Sequence, residues 1–271
     1  MDISRTATRG YMAINKIVCY IGWDSREKVC YDVCRKSIEH NTHNALSITP
    51  LCHKQLRRQG WFTRPWLTNA YNGNMTDMVD GKPFSTEFSH TRFLVPALMK
   101  YKGWALFMDC DMVFDSNIKD LFALCDDKYA VMCVKHVHKP KEGDKMDGVP
   151  QTNYYRKNWS SFMLINCGHP ANKKLTPEIV STFPGSWLHA FSWLEDIHIG
   201  TLPVEYNWIQ GVSPSNVKPK VVHYTSGGPW WHDYKDVLHA DIWWKYYKRW
   251  IDAGEYEPIN ETVSVDYGVN Q

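Results

Sequence analysis

The chain has 271 residues, 44% of them hydrophobic and 22% charged, which is apolar material enough for one large domain or two modest ones and excludes a disordered or fibrous polypeptide. A net charge of +2 leaves no overall electrostatic footprint for nucleic acid, and no apolar run approaches the length of a membrane span. The eight cysteines lack CxxC or zinc-site spacing and read as reduced thiols of a cytosolic protein, while 13 Trp and 15 Tyr suit a sugar or nucleobase site or simply an aromatic core.

Residues 1–12 have no apolar core of the signal-peptide kind and are expected to form a disordered leader, followed by one domain over 13–254 and a tail over 255–271. KIVCYIGWD (Lys16 to Asp24) is a β-branched, apolar run ending in Gly22, the pattern of a buried first strand. SREKVCYDVCRKSIEHN predicts a helix with Ser25 as N-cap and Val29, Val33, Cys34 and Ile38 along one face. ALSIT predicts the second strand, and this strand–helix–strand opening argues for a right-handed crossover in a mainly parallel sheet. GWFTRPWLTNAYNGNMTDMVDGKPF is rich in turn formers and predicts a long loop. STEFSHTRFLVPALMKY predicts a helix bent at Pro96, WALFMDCDMVF a strand, and SNIKDLFALC a short helix. YAVMCVKH and SSFMLINC predict strands, PEIVSTF and GSWLHAFSWLEDIHIG helices, and PKVVHYT a late strand. DVLHADIWWKYYKRWIDAG predicts an amphipathic helix ending at Gly254. No repeat or low-complexity tract divides the chain, so a single α/β domain is expected.

In open α/β sheets ligands gather at the carboxyl ends of strands, which is where Asp109 and Asp111 fall. Alternation along an extended segment puts both carboxylates on one face, with Cys110 opposite. Two such groups repel unless a cation lies between them, and Mg2+ or Mn2+ suits that position while taking phosphate oxygens as further ligands. Asp-x-Asp alone is a weak motif, and the plainer reading is a turn whose acids cap the helix near Ser116. The apolar residues on both sides favour a metal, because buried carboxylates need a counter-charge.

FMDCDMVF together with HYTSGGPW (His223 to Trp230) resembles the nucleotide-sugar glycosyltransferases of the GT-A fold, closest to those of family 8 and their phage and bacterial relations. The resemblance extends from Lys16 to Asp241. It implies an α/β, Rossmann-like GT-A domain with a mainly parallel mixed sheet flanked by helices. It also implies Mn2+ (or Mg2+) held by Asp109, Asp111 and His223 against a nucleoside diphosphate sugar, with Cys110 in the same strand-end donor site. Gly227, Gly228, Pro229 and Trp230 match the loop after the histidine. Family 8 usually carries Lys before Pro-Trp; Gly228 stands there instead, so diphosphate contacts are expected from the amides of Gly227 and Gly228 or from another cation. An imidazole in a mixed oxygen/nitrogen site suits Mn2+ better than Mg2+, and paired glycines let backbone N–H groups approach anionic oxygen.

Further site residues follow from the resemblance. Ile21, Gly22 and Asp24 are expected to frame a uracil and ribose, with Arg26 reaching the base or phosphate; a capped strand-to-helix turn explains the same residues. Arg92 is expected at the nucleotide or donor sugar, or else in a buried salt bridge. Ser160, Ser161 and Asn166 offer hydroxyl and amide groups to the sugar. Asp196, with Glu195 second, is expected beside the anomeric carbon as the catalytic carboxylate, or else is a helix-end acid. The expected activity is transfer from a UDP-sugar to a hydroxyl, with the retention of family 8, in the cytoplasm (a host's cytoplasm for a phage protein). The acceptor stays open among glycan, metabolite, protein and hydroxymethylated phage DNA, for which Lys135 to Lys145, Arg156 and Lys157 supply basic contacts. Two rivals remain: a non-catalytic carbohydrate-binding protein, and a sugar-phosphate nucleotidyltransferase, against which the lack of a Gly-rich basic loop after the first strand weighs.

Overall fold

β1 (Ile17–Gly22) is apolar on both faces because both are covered, and the main sheet extends from it in both directions. The computed structural model describes residues 16–137 and 156–254. From β1 the chain forms α1 (Lys28–His40), which buries Cys30, Val33, Cys34 and Ile38, and returns as β2 (Leu46–Leu51), parallel to β1. The helix begins later than expected. Ser25 Oγ donates to Glu87 Oε1 at 2.8 Å rather than capping, and no side chain caps the first turn.

α2 (His53–Arg58) leads into the segment expected to be a loop, which folds instead as an antiparallel meander of β3 (Trp66–Thr68), β4 (Met75–Asp77) and β5 (Pro83–Phe84). Strands of three and two residues are too short to leave a period in the sequence. Gly73 and Gly81, both at φ +70°, make the turns. Arg64 anchors this small sheet. Fully buried, it grips Asp77 through a two-pronged ion pair and donates to the Phe183 carbonyl at 2.6 Å.

The helix expected around Pro96 shrinks to a 3-10 turn over Thr91–Leu94 and one α turn, α3 (Val95–Leu98), since proline is tolerated only in a first turn. Left-handed residues Lys100, Tyr101 and Gly103 then turn the chain into β6 (Trp104–Met108). The run read as one strand divides after Met108: β6 belongs to the main sheet, whereas β7 (Met112–Phe114) belongs to another. α4 (Ile118–Phe122), capped by Asn117, precedes β8 (Val131–Cys133) and β9 (Phe162–Asn166). α5 (Pro177–Thr182) follows; α6 (Gly185–His189) ends well short of the expected helix, because Phe191 at φ 53° breaks it. Ile199–Thr201 becomes the edge strand β10, followed by β11 (Trp208–Ile209), β12 (Val221–His223) and α7 (Ala240–Asp252).

The main sheet has six strands in the order β10-β8-β9-β6-β1-β2, and β9 alone runs against its neighbours, giving the mainly parallel mixed α/β sheet expected. The second sheet, β11-β12-β7, pairs β7 antiparallel with β12. Val33 of α1, Val113, Trp208, Val222, Trp243 and Tyr246 form the core that fastens α1 and α7 to it. All eight cysteines are free thiols, and among the described residues no helix is long and apolar enough to cross a membrane.

Replacing Arg64 by Ala strands a buried Asp77 carboxylate and the carbonyls of Val180 and Phe183. Urea denaturation is expected to show a loss of about 3–5 kcal/mol, with Asp77→Ala costing a similar amount.

Candidate functional site

Asp109, Cys110 and Asp111 form the crossing from one sheet to the other. Asp109 N–H donates to the Ser161 carbonyl at 2.9 Å, and the Asp111 carbonyl accepts from Tyr224 N–H at 3.0 Å. In the antiparallel ladder His223 stands opposite Met112. These constraints bring one ligand atom from each of Asp109, Asp111 and His223 within 4.8 Å of one another. His223 Nε2 lies 3.4 Å from Asp111 Oδ1, and Arg92 Nη1 lies 2.8 Å from Asp109 Oδ1.

Burial pushes the Asp109 carboxyl up to about 7, with Arg92 pulling it down and the charge of Asp111 adding to the rise. For His223 burial alone lowers the pKa, but the nearby carboxylates outweigh it and the ring is held above its usual range. Asp111 Oδ1 is buried without a hydrogen-bond donor of its own. Two carboxylates and one imidazole nitrogen facing one small volume make a hard donor set that fits Mn2+ or Mg2+. Glu27, raised to about 7 by burial and then by Asp111, accepts from the Cys110 thiol at 3.6 Å. Cys110 is buried, its thiol is pushed well above its usual range and so stays neutral, and it faces Glu27 rather than joining the Asp109–Asp111–His223 cluster.

Beside the cluster opens a cavity of about 470 Å³, lined among others by Arg92, Asp109, Ser160, Ser161, His189 and His223. Arg92 is buried over the rings of Phe88 and Phe107 and donates to the Ser160 carbonyl at 2.9 Å as well as pairing with Asp109. It occupies the salt bridge foreseen as its alternative while still facing the cavity. Ser160 Oγ lies 2.7 Å from His189 Nδ1, a ring kept neutral by burial and by Arg92.

Several expected residues lie elsewhere. Asn166 stands in register with Trp104, at the far end of β6, roughly 13 Å of strand rise from Met108, and leans on the Asp127 carbonyl. The antiparallel course of β9 puts its last residue at the wrong end of the sheet for the sugar. Asp196 is 79% exposed, paired with Arg156 in the turn before an edge strand, and exposed Glu195 precedes it; neither lines the cavity. Asp24 is fully buried, with both oxygens taken by Arg26 and the Glu87 N–H, and Arg26 Nη2 also donates to the Ser85 carbonyl at 2.6 Å. Asp24 thus closes a turn through Arg26 without capping α1, and the turn occupies the guanidinium expected to reach a base or phosphate. Ile21 is core, and a Cβ on Gly22 would come within 2.3 Å of the Phe88 ring, so this glycine makes room for an aromatic. Gly227, at φ +115°, gives its N–H to the Tyr224 carbonyl at 2.9 Å and is therefore not a free phosphate donor. Side chains at Gly227 and Gly228 would strike Tyr234 and Trp230.

Three residues were not foreseen: His90 and His189 in the cavity wall, and Asn207, whose Oδ1 faces His223 Nδ1 at 3.0 Å. Only Asn207 had a visible signal, as an amide just before the tryptophan of VEYNW, and its partner is 16 residues away.

No family model matches the chain. Over 245 residues it is 44% identical to Protein CDI of Arabidopsis thaliana, an alignment that takes in 89% of each chain. It is 25% identical over 187 residues to the probable glycosyl transferase Gly of Streptococcus gordonii, covering 64% of this chain but 26% of that protein. Among solved structures, the bifunctional glycosyltransferase WbbM superposes with a TM-score of 0.56 at 16% identity, over 89% of this chain and 51% of that one. The galactosyltransferase LgtC, solved with donor and acceptor sugar analogues, superposes with a TM-score of 0.52 at 11% identity, over 86% of this chain and 96% of that one. These neighbours are glycosyltransferases of the GT-A type, which establishes the fold. Carrying this identity across nine-tenths of both chains, on a GT-A scaffold that gathers Asp109, Asp111 and His223 at one strand end, the chain belongs to the family of Arabidopsis Protein CDI.

Proposed function

We propose that the protein is a glycosyltransferase that takes a sugar from a nucleoside diphosphate donor, read as a UDP-sugar, and passes it with retention to an acceptor hydroxyl. The observation that carries the reading is the Asp109–Asp111–His223 cluster at the carboxyl end of β6, opening onto the cavity. Asp109, Asp111 and His223 would hold Mn2+ or Mg2+, which when bound supplies charge stabilisation to a diphosphate leaving group. Arg92 presents a guanidinium to the same volume and orients Asp109, opposing in part the rise that burial imposes on its carboxyl. Ser160, steadied by neutral His189, offers a hydroxyl to the sugar. Asp196 and Glu195 lie outside the lining of the cavity and are given no role in this reading.

The acceptor is a hydroxyl compound of open class. Support for DNA is thin: Lys135 Nζ is engaged by the Ile199 carbonyl at 2.8 Å and Arg156 by Asp196, while residues 138–145 of the basic stretch lie outside the described residues.

Thermal unfolding with a panel of nucleotide sugars checks the donor side. A UDP-sugar at a hundredfold its Kd is expected to raise the melting temperature by roughly 5–10 °C with Mn2+ and not after chelation, and Asp111→Asn is expected to abolish the shift. Incubation with a UDP-sugar should release UDP; pyrophosphate from UTP and a sugar phosphate would establish the nucleotidyltransferase instead, and sugar binding indifferent to chelator would establish a binding protein.

Removing the guanidinium separates its two roles. In Arg92→Met without metal, buried Asp109 loses its counter-charge beside Asp111, and denaturation is expected to show a loss of about 3–5 kcal/mol, partly restored by Mn2+. Equal loss with and without Mn2+ would count against a cation site there.

A further inference from the structure

We infer that Asn207 is the positioning residue that decides which nitrogen of His223 faces the ligand volume. This rests on the metal reading above. Asn207 is fully buried at the end of a 3-10 turn, Val204–Asn207, just before β11, whose Ile209 stands in register with His223 on β12. Its Nδ2 is committed: it donates to Ser161 Oγ at 3.0 Å and to the Asn158 carbonyl at 3.4 Å. Ser161 Oγ gives its own proton to that same carbonyl at 2.7 Å, so toward Asn207 it accepts. Asn158 sits in the left-handed region at φ 66°, a conformation asparagine tolerates.

The amide orientation is thereby fixed, and Oδ1 is the atom 3.0 Å from His223 Nδ1. A carbonyl oxygen carries no proton, so Nδ1 must. The lone pair of the neutral ring is then on Nε2, which faces the unsatisfied Asp111 Oδ1 at 3.4 Å. In the neutral ring two acceptors meet across a buried gap, which either a proton on Nε2 or a bound cation satisfies. With the amide reversed, its NH2 would demand the lone pair at Nδ1, leaving Nε2–H to donate to Asp111 and close the gap. Ser161, expected at the sugar, is thus an anchor for Asn207. Partners of this kind behind a histidine ligand typically change metal affinity 10- to 100-fold when removed.

The test compares wild type with Asn207→Leu, Asn207→Asp and Ser161→Ala, reading the His223 tautomer by 15N NMR in metal-free protein at alkaline pH, Mn2+ affinity by electron paramagnetic resonance, and thermal stability. Wild type is expected in the Nδ1–H form. Asn207→Leu should shift the ring toward Nε2–H and weaken Mn2+ binding about 10- to 100-fold. Asn207→Asp, which keeps an acceptor, should retain the Nδ1–H form, and Ser161→Ala should give an intermediate shift if the leucine variant fails to fold. A wild-type ring in the Nε2–H form, or variants that lower stability while tautomer and affinity stay put, would overturn the inference. Wild-type protein with no Mn2+ affinity but an Asn207-dependent tautomer would overturn the metal reading alone.

Discussion

Two carboxylates side by side at the end of a buried strand must be neutralised, and much of the architecture around Asp109 and Asp111 answers that requirement. Arg92 comes from the turn before β6 and is desolvated against Phe88 and Phe107, which keeps its charge close to Asp109. His223 comes from the far side, carried by a strand that pairs with the continuation of the acidic segment. The crossing between sheets makes this possible. Had Asp109 to Asp111 continued straight in the main sheet, the late strand could not have been zipped beside them.

The cavity wall opposite depends on a second buried charge pair. Arg64 and Asp77 join the small meander to the carbonyl of Phe183, just ahead of α6, and so hold His90 and His189 near Ser160. Burial keeps both imidazoles neutral, His90 at about 3 and His189 well below the usual range. The two imidazoles therefore offer hydrogen bonds without adding charge beside Arg92, in a wall that also carries Asp80, Lys82 and Lys157.

Much of the fold was legible in local pattern. The β1–α1–β2 unit could be read because its strands are doubly buried and its helix carries a clean apolar face. Asp109 and Asp111 stood out because acids in an apolar run break the pattern. The meander did not, because strands of two or three residues have no period to detect. Asn166 was misplaced because an apolar run does not state its direction: β9 read as parallel would end at the site, but it runs antiparallel. Gly227 and Gly228 suggested phosphate amides, whereas aromatic rings from Tyr234 and Trp230 fill the space they leave.

By itself, then, the sequence determined the α/β class, the strand–helix–strand opening and the two acids out of place in an apolar run, because each is written in residues near one another, whereas the late histidine was picked out only by the resemblance of HYTSGGPW to family 8. Tertiary structure decided that His223 meets Asp111, that Asp196 is taken up by Arg156, and that Asn207 stands behind the imidazole. Those outcomes depend on strand direction, on the bend between two sheets and on contacts across up to 112 positions, none of which local propensity encodes.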